Sequence, residues 1–198
     1  MRLFILAFFI FLNTGNGFAQ QINRKIKIKI DTLPTALLII DIQDFYFPGG
    51  TVPLVNPEAA SDKAAELLKL FRSQGLPVIH IQHAGGSPVH KNVAPLPDEK
   101  VITKKEANSF KGTDLENYLT TLKIKRLVIC GMQTHLCVEG TTRAAYDLGF
   151  KCLVVEDACA TRNLKYGRRT IFANDVQACA LTTLNGYYAW VIMTADLE

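Results

Sequence analysis

Three side chains in this 198-residue sequence have the chemistry of nucleophilic catalysis, and each stands where an apolar run stops. Cys137 lies in Cys130-Gly131-Met132-Gln133-Thr134-His135-Leu136-Cys137-Val138. That pattern predicts a strand that ends at the glycine and a helix that begins near Thr134. A cysteine in the first helical turn meets unpaired backbone N–H groups and the positive end of the dipole. Such a position is expected to lower the thiol pKa, and the thiolate is the reactive form. The same N–H groups can receive the oxyanion of a tetrahedral intermediate. The plainer alternative is a small apolar contact beneath the helix. Asp41 directly follows Ile40, and a carboxylate at the end of an apolar strand is costly to bury unless paired. Its plainer alternative is to cap the following turn. Lys104 follows Val101-Ile102-Thr103. A lysine there is ordinarily solvated, as its neighbour Lys105 would be. An acid, a cation and a thiol on one sheet edge have what a cysteine nucleophile needs.

The elements that must position these groups are legible as alternating apolar runs and helical stretches. Ala36 to Ile40, Pro77 to Gln82, Val101 to Thr103, Arg126 to Cys130, Lys151 to Val155 and Ala189 to Met193 read as six strands. Pro57 to Gln74 has apolar residues at helical spacing, with Asn56 placed to cap it and Gly75 to end it. Further helices are predicted after Thr113, over Thr134 to Leu148, and over Thr170 to Leu184. Residues 84 to 98, rich in Gly and Pro, form a loop of a length that is often functional. Strands alternating with helices imply right-handed crossovers and a mostly parallel sheet with helices on both faces. Ligands then collect at the carboxyl ends of the strands, where all three reactive residues fall.

Composition bounds the function. Hydrophobic residues make up 48% and charged residues 20%, enough for one substantial core and too few charges for a disordered chain. Arg2 followed by the apolar run Leu3 to Leu12 and the small, polar stretch Asn13 to Gln20 reads as a secretory signal peptide over residues 1–19. Residues 20–35 then form an N-terminal extension, and 36–198 a single catalytic domain. The expected location is periplasmic or extracellular, with no stable membrane insertion after cleavage. Without residues 1–19 the chain carries 21 basic and 18 acidic residues, a formal charge of +3. That mild excess, with no concentrated patch, argues against a nucleic-acid partner. The one basic cluster, Arg24 to Lys29, alternates Lys with Ile and suits a short strand with one wet face. Five cysteines occur with no Cys-x-x-Cys pair and no zinc-like spacing.

Leu38 to Gln43 (LIIDIQ), Val101 to Phe110 (VITKKEANSF), Gly131 to Leu148 (GMQTHLCVEGTTRAAYDL) and Val154 to Arg162 (VVEDACATR) resemble the isochorismatase-like cysteine hydrolases, in that family's order and spacing. The resemblance implies a single-domain, Rossmann-like three-layer αβα sandwich around a six-stranded sheet. It also implies an Asp-Lys-Cys triad: Asp41 as general base, Lys104 as cation, Cys137 as nucleophile. Lys104 is preferred to Lys105 because the family lysine stands four residues before the Asn of the N-S-F element, here Asn108. A cis peptide between Met132 and Gln133 is implied too, with the N–H groups of Gln133 and Cys137 receiving the oxyanion. Phe45, His83, Phe110 and His135 are candidates to touch substrate. Metal-dependent nicotinamidases of the family carry histidines after the first strand. Gly49 to Glu58 has none, so no metal and no other cofactor is expected, and nicotinamide is an improbable substrate. The family is commonly homo-oligomeric.

Three functions compete at this level. The first is hydrolysis of a C–N bond in a small amide, ureide or carbamoyl compound through a Cys137 thioester. The second is vinyl ether cleavage of the isochorismatase type, which does not need a thiol. The third is a non-catalytic binding protein of the same fold.

Overall fold

The computed structural model describes residues 27–85 and 87–198. The signal-peptide reading, and the first residues of the basic cluster, lie outside them.

Six parallel strands make the central sheet: β1 (Thr35–Ile40), β2 (Val78–His83), β3 (Lys100–Lys104), β4 (Arg126–Met132), β5 (Lys151–Ala160) and, later in the chain, β8 (Trp190–Ile192). Their order is β3-β2-β1-β4-β5-β8. The chain therefore winds one way from β1 and the other way from β4. The crevice between those two strands is the switch point where such sheets bind ligands.

The two middle strands, β1 and β4, are apolar along most of their length because both of their faces are buried. Along β1, Leu37 and Ile39 join one core cluster, while Ala36, Leu38 and Ile40 join the other. The first cluster is closed by α1 (Pro57–Ser73) through Ala64, Leu67, Leu68 and Phe71. The second is closed by α2 (Leu115–Thr121), α3 (Glu139–Asp147) and α4 (Ala173–Leu184) through Leu115, Leu119, Ala145, Leu181 and Leu184. The result is the three-layer sandwich that the alternation of elements predicts.

Several local expectations are corrected. Asn56 does precede α1, but in the left-handed region (φ 52°, ψ 43°) and without a side-chain cap. Ile28 forms only an isolated bridge to Leu197, not a strand, and Ile30 turns into a short 3-10 segment. The last long helix starts at Ala173 rather than Thr170. Residues 169–171 (β7) instead pair antiparallel with 164–166 (β6), across a tight turn in which Gly167 takes φ 59°. Asn163 Oδ1 accepts the Ala173 N–H at 2.8 Å, which fixes the helix start from outside. The helix after Thr113 is only seven residues long, and Thr113 Oγ1 accepts from Leu115 N–H at 3.3 Å.

Candidate active site

β1, β3 and β4 deliver the three reactive side chains to one place. β1 ends at Asp41, which turns out of the strand with φ 51°. β3 ends at Lys104, in register with His83 at the end of β2. β4 runs into a single π-helical turn, Thr134–Val138, that carries Cys137 into α3. Lys104 Nζ lies 2.6 Å from Asp41 Oδ2 and 3.3 Å from Cys137 Sγ, and donates to the Glu106 carbonyl at 3.0 Å. Asp41 is fully buried, Lys104 is 1% exposed and Cys137 6%. Lys105, the competing lysine, is exposed.

The approach from β4 is possible because residue 131 is glycine. A Cβ there would stand 2.0 Å from the Ile40 carbonyl oxygen, and the residue holds φ 132°. The Met132–Gln133 peptide is cis. Beyond it, the Gln133 carbonyl accepts the N–H groups of Leu136 (3.1 Å) and Val138 (3.3 Å), bypassing that of Cys137 between them.

Electrostatics correct one expectation. The thiol is not lowered at the helix start: burial, and then the Asp41 carboxylate, push Cys137 up to about 12. Both effects favour the thiol over the thiolate in the resting site. Burial also raises Asp41, opposed by the Lys104 charge. Lys104 pairs with Oδ2 at 2.6 Å, and the Cys137 thiol stands within hydrogen-bonding reach of the same carboxylate. A carboxylate, an ammonium and a thiol in mutual contact can move the thiol proton to the acid while the cation balances the charge.

The other expected site residues are only partly gathered. Phe45 and His83 share the wall of a cavity of about 780 Å³ whose lining includes none of the three triad residues, and Phe45 packs on Tyr46 with ring centroids 4.0 Å apart. His83 is close enough to lower the Asp41 pKa. His135 is half-buried, its Nδ1 2.6 Å from Thr161 Oγ1, and burial lowers its pKa from the ordinary histidine value. Phe110 is not in that cavity wall. Its ring stacks on Phe150 at 6.1 Å and packs against the core cluster that also holds Cys137. Gln133 is buried, with Nε2 3.4 Å from the Tyr46 hydroxyl.

Two residues escaped the reading of the sequence. Gln43 donates to the carbonyls of His83 (3.2 Å) and Ser87 (2.7 Å) and accepts the His83 N–H (2.7 Å), tying the end of β2 to the 84–98 loop. Its place two residues after Asp41 was the available signal. Arg162, at the end of VVEDACATR, is an exposed cation close enough to act electrostatically on both Tyr46 and His135. Among the described residues no three His, Cys, Asp or Glu side chains cluster as metal ligands do.

This fold defines a three-layer α/β protein with a mostly parallel sheet, and a model of the Isochorismatase domain matches residues 35–196. The chain belongs to the isochorismatase family of hydrolases. It is 43% identical over 175 residues to the isochorismatase family protein YddQ of Bacillus subtilis, covering 82% of this chain and 97% of that one. A crystal structure of an isochorismatase hydrolase from Oleispira antarctica superposes with TM-score 0.80 at 41% identity, covering 83% of this chain and 96% of the other. A ureidoacrylate amidohydrolase, RutB of Azorhizobium caulinodans, is 26% identical over 210 residues, covering 83% and 88% of the two chains.

Proposed function

We propose that this protein hydrolyses a C–N bond of a small amide, ureide or carbamoyl compound, with Cys137 as nucleophile, Asp41 as general base and Lys104 as the balancing cation. The observation that carries the reading is the mutual contact of the three groups, Lys104 Nζ reaching both the Asp41 carboxylate and the Cys137 sulfur. A thiol beside a carboxylate is poised to pass its proton to that acid as it attacks. The name of the Azorhizobium relative supports C–N cleavage.

Asp41 takes the thiol proton as sulfur bonds to the carbonyl carbon, and the oxyanion is received by the N–H groups of Cys137 and Gln133. The C–N bond then breaks, the leaving nitrogen takes the proton from Asp41, and a thioester remains on Cys137. Water attacks the thioester carbon as Asp41 takes a proton from it. The C–S bond breaks, the sulfur is reprotonated from Asp41, and the carboxylic acid departs. With Cys137 only 6% exposed, the substrate is restricted to a small molecule or a slender arm of a larger one.

The test is a screen of small amides, ureides and carbamoyl compounds for ammonia or amine release. On the best substrate, Cys137→Ala should lose at least about a thousandfold in kcat. Activity within about tenfold of the parent would remove the nucleophile assignment.

A further inference from the structure

At the opposite end of the sheet from the triad, the starts of β4, β5 and β8 surround a second cavity of about 840 Å³. Strand rise over the seven residues of β4 puts it roughly 20 Å from Cys137. Its volume is within the range of small-molecule pockets. Its walls are aromatic: Tyr146, Phe150, Tyr187, Tyr188 and Trp190. Three of the chain's six tyrosines and its single tryptophan are therefore spent on one surface that the triad does not use. The three tyrosine rings already pack on one another, with centroids 4.7 to 5.7 Å apart, so the wall is preformed.

A cation stands in this apolar wall. Arg126, first residue of β4, is 7% exposed and lines the cavity. Its Nε donates to Thr35 Oγ1 (3.0 Å) and its Nη2 to the carbonyls of Lys29 and Ile30 (both 2.9 Å). Nη1 has no partner among the described residues. No carboxylate of those residues lies within 4.0 Å, although Asp31 acts on Arg126 from farther away. Lys151 and Asp147 share the lining and offset each other, and Arg143 is held over the Tyr188 ring at 4.5 Å. Removing a guanidinium from water without an anion is costly, and a ligand that supplies a carboxylate recovers a charge-assisted hydrogen bond.

We propose that this cavity is a second ligand site, taking a small aryl-substituted carboxylate with its ring against the tyrosine wall and Trp190 and its carboxylate on Arg126 Nη1. The aromatic walls select the ring by stacking and burial. The guanidinium selects the anion over its amide or alcohol.

Trp190 makes the test direct, because all tryptophan emission comes from this site. Phenylacetate is titrated into the full-length protein while that emission is followed. The expected result is a saturable change with a dissociation constant of about 1 mM or tighter. Acetate, with the charge but no ring, and 2-phenylethanol, with the ring but no charge, should each bind at least about tenfold more weakly. Protein alkylated at Cys137 should bind phenylacetate equally, which separates this site from the triad. Arg126→Gln should abolish saturation. Because Arg126 also holds the backbone at Lys29 and Ile30, Tyr187→Ala serves as the second variant: the ring is 68% exposed, so the fold survives, and affinity should fall severalfold. Equal binding of 2-phenylethanol, no saturable change with phenylacetate, or sedimentation showing that a second copy of the chain covers Trp190 and excludes phenylacetate would each overturn the proposal.

Discussion

Lys104 and Asp41 form an ion pair with Nζ 2.6 Å from Oδ2, and neither side chain has any exposed surface. Removing one member of such a pair leaves a buried charge without compensation, at a cost of about 3–5 kcal/mol. Asp41→Asn and Lys104→Met should therefore each abolish activity, with Asp41→Asn the more destabilising because it strands the ammonium. The double variant should regain most of the lost stability and none of the activity. Urea denaturation of the three proteins measures this; a double variant no more stable than Asp41→Asn would show that the pair is not coupled.

The pH dependence follows from the same two groups. Acylation uses Asp41 as carboxylate and Cys137 as thiol. Burial raises Asp41, so kcat/KM should fall as pH drops through a value above the ordinary carboxylate range. Cys137 stands near 12, so its thiolate fraction grows steadily through the neutral and mildly alkaline range. The rate of iodoacetamide modification should climb without levelling from about pH 7 to about pH 10. A plateau below about pH 8 would mean that Lys104 holds the sulfur ionised at rest.

Gly131→Ala should be among the most damaging single-methyl changes in the chain. The added Cβ falls 2.0 Å from the Ile40 carbonyl oxygen, on a backbone at φ 132° that a side chain resists. Two central strands would have to separate at their carboxyl ends, at a cost of about 3 kcal/mol or more. Thermal and urea unfolding read the loss. Activity in the surviving folded fraction should fall as well, because the same turn delivers Cys137. Stability within about 1 kcal/mol of the parent would mean that β1 and β4 do not pack so closely at Gly131.

Gln43→Ala removes three hydrogen bonds that join β2 to the 84–98 loop. Orphaned backbone groups at His83 and Ser87 should cost about 2 kcal/mol. The more specific expectation is faster proteolytic cleavage within residues 84–98, with KM affected more than kcat, since the loop flanks the cavity and not the sulfur. Unchanged cleavage rates there would assign Gln43 to the core alone.

The export proposal has its own test. Expressed with its native N-terminus in a bacterial host, the protein should be recovered outside the cytoplasm and begin at Gln20 by N-terminal sequencing. Cytoplasmic recovery of the uncut chain would remove it.

Local patterns determined a great deal. Burial on both faces makes a run such as Ala36 to Ile40 apolar throughout, and an amphipathic helix marks α1 by its spacing; both properties are written residue by residue, so strand order along the chain, helix positions and the ends where Asp41 and Cys137 stand were legible. The β6–β7 hairpin was not, because its strands are three residues each and largely exposed, with no apolar alternation to read. Nor was the choice of Lys104 over Lys105 decided by anything in their immediate sequence. It took the family's spacing to Asn108 to name it, and the packed site to bury one lysine and expose the other. The protonation of Cys137 belongs wholly to the tertiary structure. Local sequence placed the thiol at a helix start, which favours an anion. Folding then removed its water and set Asp41 beside it from 96 residues away, and desolvation with a like charge outweighs the Lys104 cation on its other side. Energies that depend on distance between remote side chains and on lost solvent exist only once the chain has closed on itself.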